Sequence, residues 1–162
     1  MKIPILLYHS ISNDKSPLSL DINEFEKQII YLKERNYITT NFDQINNLEK
    51  KRIIITFDDG YKDLNSHVLP ILKKYDFTAT CFVVSGLLGK KNTWDEGKKN
   101  FISKNLMNIN DIREWIKNGM FIGSHSHNHL NLTSLNIDEI TNELIYSKKF
   151  LEDEIGVSIN NF

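Results

Sequence analysis

The stretch that most restricts the fold is Arg52 to Gly60, Arg-Ile-Ile-Ile-Thr-Phe-Asp-Asp-Gly. Three consecutive isoleucines followed by Thr-Phe have high β-propensity and show no polar face, so the segment reads as a short, fully buried strand. It runs out into two adjacent carboxylates, Asp58 and Asp59. The carboxyl ends of parallel strands are where α/β folds carry their chemistry. A second polar cluster, Gly123-Ser124-His125-Ser126-His127-Asn128-His129, follows another apolar run, Met120 to Gly123.

The rest of the chain alternates strand and helix around these two segments. Ile3 to Tyr8 reads as a buried strand with Pro4 near its start and His9 at its exit. Asp21 to Asn36 reads as a surface helix with a capping-box start, Asp21 and Glu24, and apolar Phe25, Ile29 and Leu32 at helical spacing. Tyr37 to Thr40 fits a short strand and Phe42 to Leu48 a short helix. Tyr61 to Tyr75 carries one apolar helical face that Pro70 should break or kink. Phe77 to Ser85 is a third strand, Asp111 to Asn118 a helix, and Asn136 to Ile155 a closing helix with an Asn-x-x-Glu start and Gly156 as its stop. The alternation predicts βαβ units in a mainly parallel sheet or barrel. The connection Leu87 to Leu106 is long for a compact domain. Its Trp94 fits either a sugar-cleft wall or a plug that pins the loop to the core.

With 162 residues, 40% hydrophobic and 25% charged, the chain is sized for a single domain spanning 1–162. A formal net charge of -1 with interspersed signs gives no basic track for phosphates, so no nucleic acid partner is expected. Cys81 lies in an apolar run and reads as a buried, inert thiol, and a lone cysteine rules out an internal disulfide. No stretch is apolar for long enough to span a membrane, and Met1 to Leu7 lacks the form of a signal peptide.

Histidines four apart share a face on a helical turn, so His125 and His129 can bind one ion, with Asp59 adding a carboxylate oxygen. On a strand the pair would instead be His125 and His127. Two histidines and a carboxylate suit Zn2+, Fe2+, Co2+ or Mn2+ and leave room for water and substrate, with Asp58 placed to act as a general base. Successive strand residues point to opposite faces, so Asp58 and Asp59 reach one site only if the pleat ends near Phe57, which Gly60 permits. Each cluster also has a plainer reading. Asp-Asp-Gly is ordinary turn chemistry, three histidines in five residues suit a solvated loop, and His9 and His67 suit structural roles.

Thr56-Phe57-Asp58-Asp59-Gly60 and His125-Ser126-His127-Asn128-His129 resemble the first two motifs of the polysaccharide deacetylases, the NodB-homology enzymes of carbohydrate esterase family 4. The Pro-Ile-Leu-Leu-Tyr-His opening, the Ala79 to Val84 strand and the Leu144 to Gly156 helix are similar as well. The resemblance implies a distorted, incomplete (β/α) barrel. It also implies a metal-dependent hydrolase that removes N-acetyl, sometimes O-acetyl, groups from a polysaccharide or oligosaccharide of the N-acetylglucosamine type. Within it Asp58 is the catalytic base; Asp59, His125 and His129 hold one divalent ion, Zn2+ first, with Co2+, Ni2+, Mn2+ or Fe2+ as substitutes. Ser126 supports the loop, His9 and Trp94 are candidate walls of the site, and the partner is an acetylated glycan. The family setting is the cell envelope or outside the cell; the sequence itself leaves the compartment open. The family's later motifs, including a general-acid histidine, are expected where the chain stops at Phe162. A C-terminally truncated domain with an open sheet edge, available for self-association, is therefore the expectation. The rival readings are a metal- or sugar-binding domain without activity and a metal hydrolase of other small amides or O-acetyl esters.

Overall fold

The computed structural model describes residues 3–45 and 51–162. Its centre is a parallel sheet in which β1 (Ile5–Tyr8) pairs with β5 (Arg52–Phe57), β5 with β6 (Thr80–Val83) and β6 with β7 (Phe121–Ser124). Between β1 and that central strand come the two-residue β2 (Ser10–Ile11) and β3 (Ser19–Leu20), which pair with each other, then helix α1 (Ile22–Glu34) and β4 (Ile38–Thr39). The central β5 (Arg52–Phe57) is followed by a π-helical turn, Leu64–Val68, that runs directly into α2 (Leu69–Lys74). Then come β6 (Thr80–Val83), α3 (Ile109–Lys117), β7 (Phe121–Ser124) and α4 (Ile137–Ile155). Every strand pairing is parallel, and β4 joins the start of β5. The sheet is α/β and does not close into a barrel among the described residues.

The central strand is buried on both faces, as its sequence demands. Ile53, Ile55 and Phe57 belong to the main core beneath the helices, while Ile54 and Thr56 are buried on the opposite face. Phe57 is the hub of that core. Its ring stacks on Tyr8 at 5.4 Å and meets Phe25 and Trp115 edge-on at 5.8 and 6.2 Å.

Several local expectations change for identifiable reasons. The first strand is not buried: burial alternates along β1, with Ile5 and Leu7 about half exposed, because no further strand covers its outer side among the described residues. Asp21 caps α1 by accepting from the amides of Asn23 and Glu24, but Glu24 pairs with Lys27 instead of completing the box. The true capping boxes are Asn108 with Asp111 and Asn136 with Glu139. Pro70 neither ends nor splits its segment cleanly. It sits at the start of α2, where a missing N–H is tolerated, and the preceding π turn absorbs the change of register through the Leu69 N–H to Leu64 C=O bond. The helix expected over Phe42 to Leu48 is one 3-10 turn, Phe42–Gln44, and residues 46–48 lie outside the described residues.

Phe57→Ala should lower unfolding stability by about 3–5 kcal/mol, the usual range for truncating a buried aromatic. Urea unfolding followed by far-UV circular dichroism measures it, and a loss below about 1 kcal/mol would remove Phe57 from its place as hub.

Candidate metal centre

The two polar clusters lie at the carboxyl ends of β5 and β7, the strands on either side of β6. The β5 ladder continues for one residue, with the Asp58 N–H donating to the Tyr8 carbonyl at 2.9 Å, so Asp58 keeps the face of Ile54 and Thr56. Asp59 then turns to φ +69° and Gly60 to φ +72°. This reversal ends the pleat and lets neighbouring carboxylates serve one site. A side chain at Gly60 would also meet Val83 Cγ1 at 2.8 Å, so the residue is glycine on two counts.

The histidines are carried not by a helical turn but by an irregular loop after β7, with Ser126 and His129 both in the left-handed region. The loop is held from three sides. The amides of Ser85 and Gly86, at the end of β6, donate to the carbonyls of Ser126 and His127, and Gly86 must lack a side chain because a Cβ would lie 2.6 Å from that His127 oxygen. From α4, Ser147 Oγ donates to the Ser126 carbonyl, and Glu143, 7% exposed, accepts from the amides of His127 and Asn128 and from Asn128 Nδ2. Ser126 Oγ accepts from the His129 amide at 3.0 Å inside the loop.

Asp59, His125 and His129 come together: one possible ligand atom from each lies within 4.8 Å of the others. Asp59 Oδ1 is 3.5 Å from His125 Nε2 and 3.2 Å from His129 Nε2. Donors on a tetrahedral ion at ~2.0–2.1 Å stand roughly 3.4 Å apart, so both separations from Asp59 suit a small divalent ion. His127 is not in the group, since its Nδ1 faces Ser85 Oγ at 2.9 Å. Trp94, half-buried, stacks on the His129 ring at 4.2 Å, so the long connection reaches the centre rather than plugging the core.

The two adjacent carboxylates are driven apart electrostatically. Burial raises the Asp58 carboxyl above the ordinary aspartate range, assisted by the charge of Asp59 and only partly offset by His125, His9 and His129. Burial pushes Asp59 the same way, but its hydrogen bond with His129 and the charges of His129, His9 and His125 leave it below that range. His125 is lowered mainly by burial. One carboxylate is thus kept ionised beside the imidazoles while its neighbour has a heightened proton affinity, a division found where two acids take different roles. The imidazole of His9, half-buried at the exit of β1, is close enough for its charge to act on Asp58, Asp59 and His125.

Sequence reasoning missed Glu143, Ser147, Ser85 and Tyr61. Tyr61 is 1% exposed; its hydroxyl accepts from Asn92 Nδ2, and burial followed by the nearby charge of Asp59 raises its pKa. Glu143, Ser147 and Leu151 form the buried stripe of α4 at four-residue spacing. Polar residues on an inward stripe are a signal, but one that becomes visible only once the inward stripe is known.

A buried carboxylate and two imidazoles thus meet at the carboxyl ends of parallel strands of an α/β sheet, a group that could hold a divalent ion. The polysaccharide deacetylase family matches residues 45–162, and the chain belongs to that family. The Bacillus subtilis protein YxkH is 32% identical over 159 residues, covering 94% of this chain and 52% of its own length. A Staphylococcus aureus poly-beta-1,6-N-acetyl-D-glucosamine N-deacetylase is 26% identical over 138 residues, 81% of this chain and 45% of the relative. The chain thus spans about half the length of these relatives. Among solved structures, the Streptococcus pyogenes deacetylase PplD in complex with acetate superposes with a TM-score of 0.81 at 28% identity, over 98% of this chain and 71% of that one.

Glu143→Gln should destabilise the fold by about 1–3 kcal/mol, since a carboxamide cannot serve all three donors. Burial alone would raise the Glu143 carboxyl, but the bonds from Asn128 and the His127 amide reverse this and set it below the ordinary glutamate range. A group titrating lower when folded stabilises fully above its unfolded pKa of about 4.3 and loses that contribution as pH falls through its folded value. The stability gap between parent and variant should therefore be widest near neutrality and shrink in acid, as read by denaturant unfolding over a pH series. A gap independent of pH would contradict it.

Proposed function

We propose that this chain is a metal-dependent carbohydrate deacetylase that hydrolyses N-acetyl groups of an N-acetylglucosamine-type glycan. The reading rests above all on the convergence of Asp59, His125 and His129 with Asp58 beside them. The N-deacetylase named among its relatives and the acetate held by the PplD structure point to the same substrate class.

A divalent ion held by Asp59, His125 and His129 would polarise the acetamide carbonyl and make a nearby water acidic, and zinc suits the donor set, as do cobalt, nickel, manganese and ferrous ions. Asp58 takes the proton from the attacking water; its raised proton affinity makes it a better base than an ordinary surface aspartate. Collapse of the tetrahedral intermediate breaks the carbon–nitrogen bond, and the departing amine needs a proton. His9, at the exit of β1, is near enough for its charge to act on Asp58 and Asp59 and is a further wall of the site, outside the ligand group. Trp94, stacked on His129, forms a flat wall against which a pyranose face can lie. The small-amide alternative that used His127 as a ligand loses its support, because that ring is engaged with Ser85.

Purified chain should bind one equivalent of Zn2+ that Asp59→Ala and His129→Ala fail to retain, measured by elemental analysis after gel filtration. Unchanged metal content in both variants would defeat the ligand assignment. Asp58→Asn should keep the ion while acetate release from chitooligosaccharides drops by about 10²- to 10⁴-fold. Turnover at the parental rate removes the substituted residue from its role, and a metal-loaded parent that releases no acetate identifies a binding domain instead.

A further inference from the structure

The connection between β6 and α3 is a tongue whose two limbs are bonded to each other and to the segment that follows Asp59. Gly89 and Leu106 donate to the carbonyls of Met107 and Lys90, and the Asn92 amide donates to the Lys104 carbonyl. The returning limb lies against Gly60 to Lys62: Met107 donates to the Gly60 carbonyl at 2.8 Å, the Lys62 amide donates to Asn105 at 2.9 Å, and Tyr61 and Leu106 form an antiparallel bridge. At the fork sits Asn92, 4% exposed. Its Oδ1 accepts from the Lys104 amide at 2.7 Å, while Nδ2 donates to the Ile102 carbonyl and to the Tyr61 hydroxyl at 3.4 Å. Beyond the fork the tip carries Trp94 onto His129.

The third attachment is Lys104, whose side chain is 10% exposed. Its ammonium lies among the hydroxyls of Ser10, Ser12 and Ser19 and the carboxylates of Asp14, at 2.6 Å, and Asp63, at 3.3 Å. Ser10 and Ser12 lie one and three positions after His9 in the chain, and Asp63 lies two after Tyr61, so one side chain ties together the segments that leave two different edges of the centre. An ion cluster this enclosed is costly to desolvate and adds little to stability over an apolar replacement, which leaves fixing geometry as what distinguishes it.

We propose that the tongue, residues 89–107, is the positioning device of the metal centre, with Lys104 as its anchor and Tyr61 and Trp94 as its two contacts to the ligands Asp59 and His129. Lys104 touches no ligand; it acts through the limb that carries Asn92 onto Tyr61. This rests on the metal-centre reading above, in which Asp59 and His129 hold the ion.

Co2+ titration of the metal-free full chain, followed by quenching of tryptophan emission and by the cobalt absorption bands, tests it at a temperature where every variant is folded by circular dichroism. Lys104→Met, Tyr61→Phe and Trp94→Leu should each weaken Co2+ binding by about ten-fold or more, as loss of groups that orient metal ligands does. Lys104→Met combined with Tyr61→Phe should fall short of the product of the separate effects, because both act along one route. Co2+ affinity within two-fold of the parent in folded Lys104→Met overturns the proposal. If Lys104→Met does not fold, Ser12→Ala with Ser19→Ala decides, and unchanged affinity there overturns it equally. A parent whose Co2+ binding survives Asp59→Ala overturns the underlying metal reading instead, so the two failures are distinguishable.

Discussion

A carboxylate that is 3% exposed must be compensated, and much of this molecule can be understood as the compensation of Asp59. Two imidazole nitrogens at 3.2 and 3.5 Å reach it from the loop after β7, and buried Tyr61 stands beside it on its own strand exit. None of these groups could be held in place by its own segment alone. The sheet supplies the common floor, because β5 and β7 flank β6 and end on the same side. The loops above are then stitched by bonds from side chains and backbone amides rather than by further apolar packing.

The backbone around Asp59 is correspondingly bent away from its easiest conformations. Asn36, Asp76 and Asn100 also have positive φ, but they are loop residues of types that accept it readily. Asp59, Ser126 and His129 cluster at the centre, and of these Ser126 is the type that least favours the conformation, at a cost on the order of 1–3 kcal/mol. The His129 amide donating to the Ser126 hydroxyl, the Glu143 carboxylate accepting from the His127 and Asn128 amides and the Ser147 hydroxyl donating to the Ser126 carbonyl hold those turns in place.

Much of this was legible in the sequence, for reasons that can be named. The isoleucine run dictated a strand covered on both faces, and the paired carboxylates at its end marked the side of the sheet to inspect. Apolar spacing placed α1 and α4 within a residue or two, and the long connection around Trp94 stood out by its length alone. The histidine pair was anticipated for the wrong geometric cause: four-residue spacing suggested a helical turn, whereas left-handed residues at Ser126 and His129 bring the two rings 5.1 Å apart within a loop. Glu143, Tyr61 and the Lys104 cluster were illegible, because each pairs residues far apart in the chain and nothing local distinguishes a buried glutamate or lysine from the many solvated ones. The exposure of β1 was also hidden, since an apolar run does not say how many neighbours it will have.

Gly123 deserves a last consideration for what it implies about heritable variation. A side chain there would strike the Phe82 ring at 2.5 Å and crowd the carbonyl of Asn161, which accepts from the Ser124 amide beside it. The residue two positions before His125 is thus wedged between a core aromatic and a distant stretch of the same chain. Any residue added at this one bare backbone position needs both neighbours to give way, whereas on the outer surface of α4 Ile145 and Tyr146 are more than half exposed and tolerate exchange far more easily.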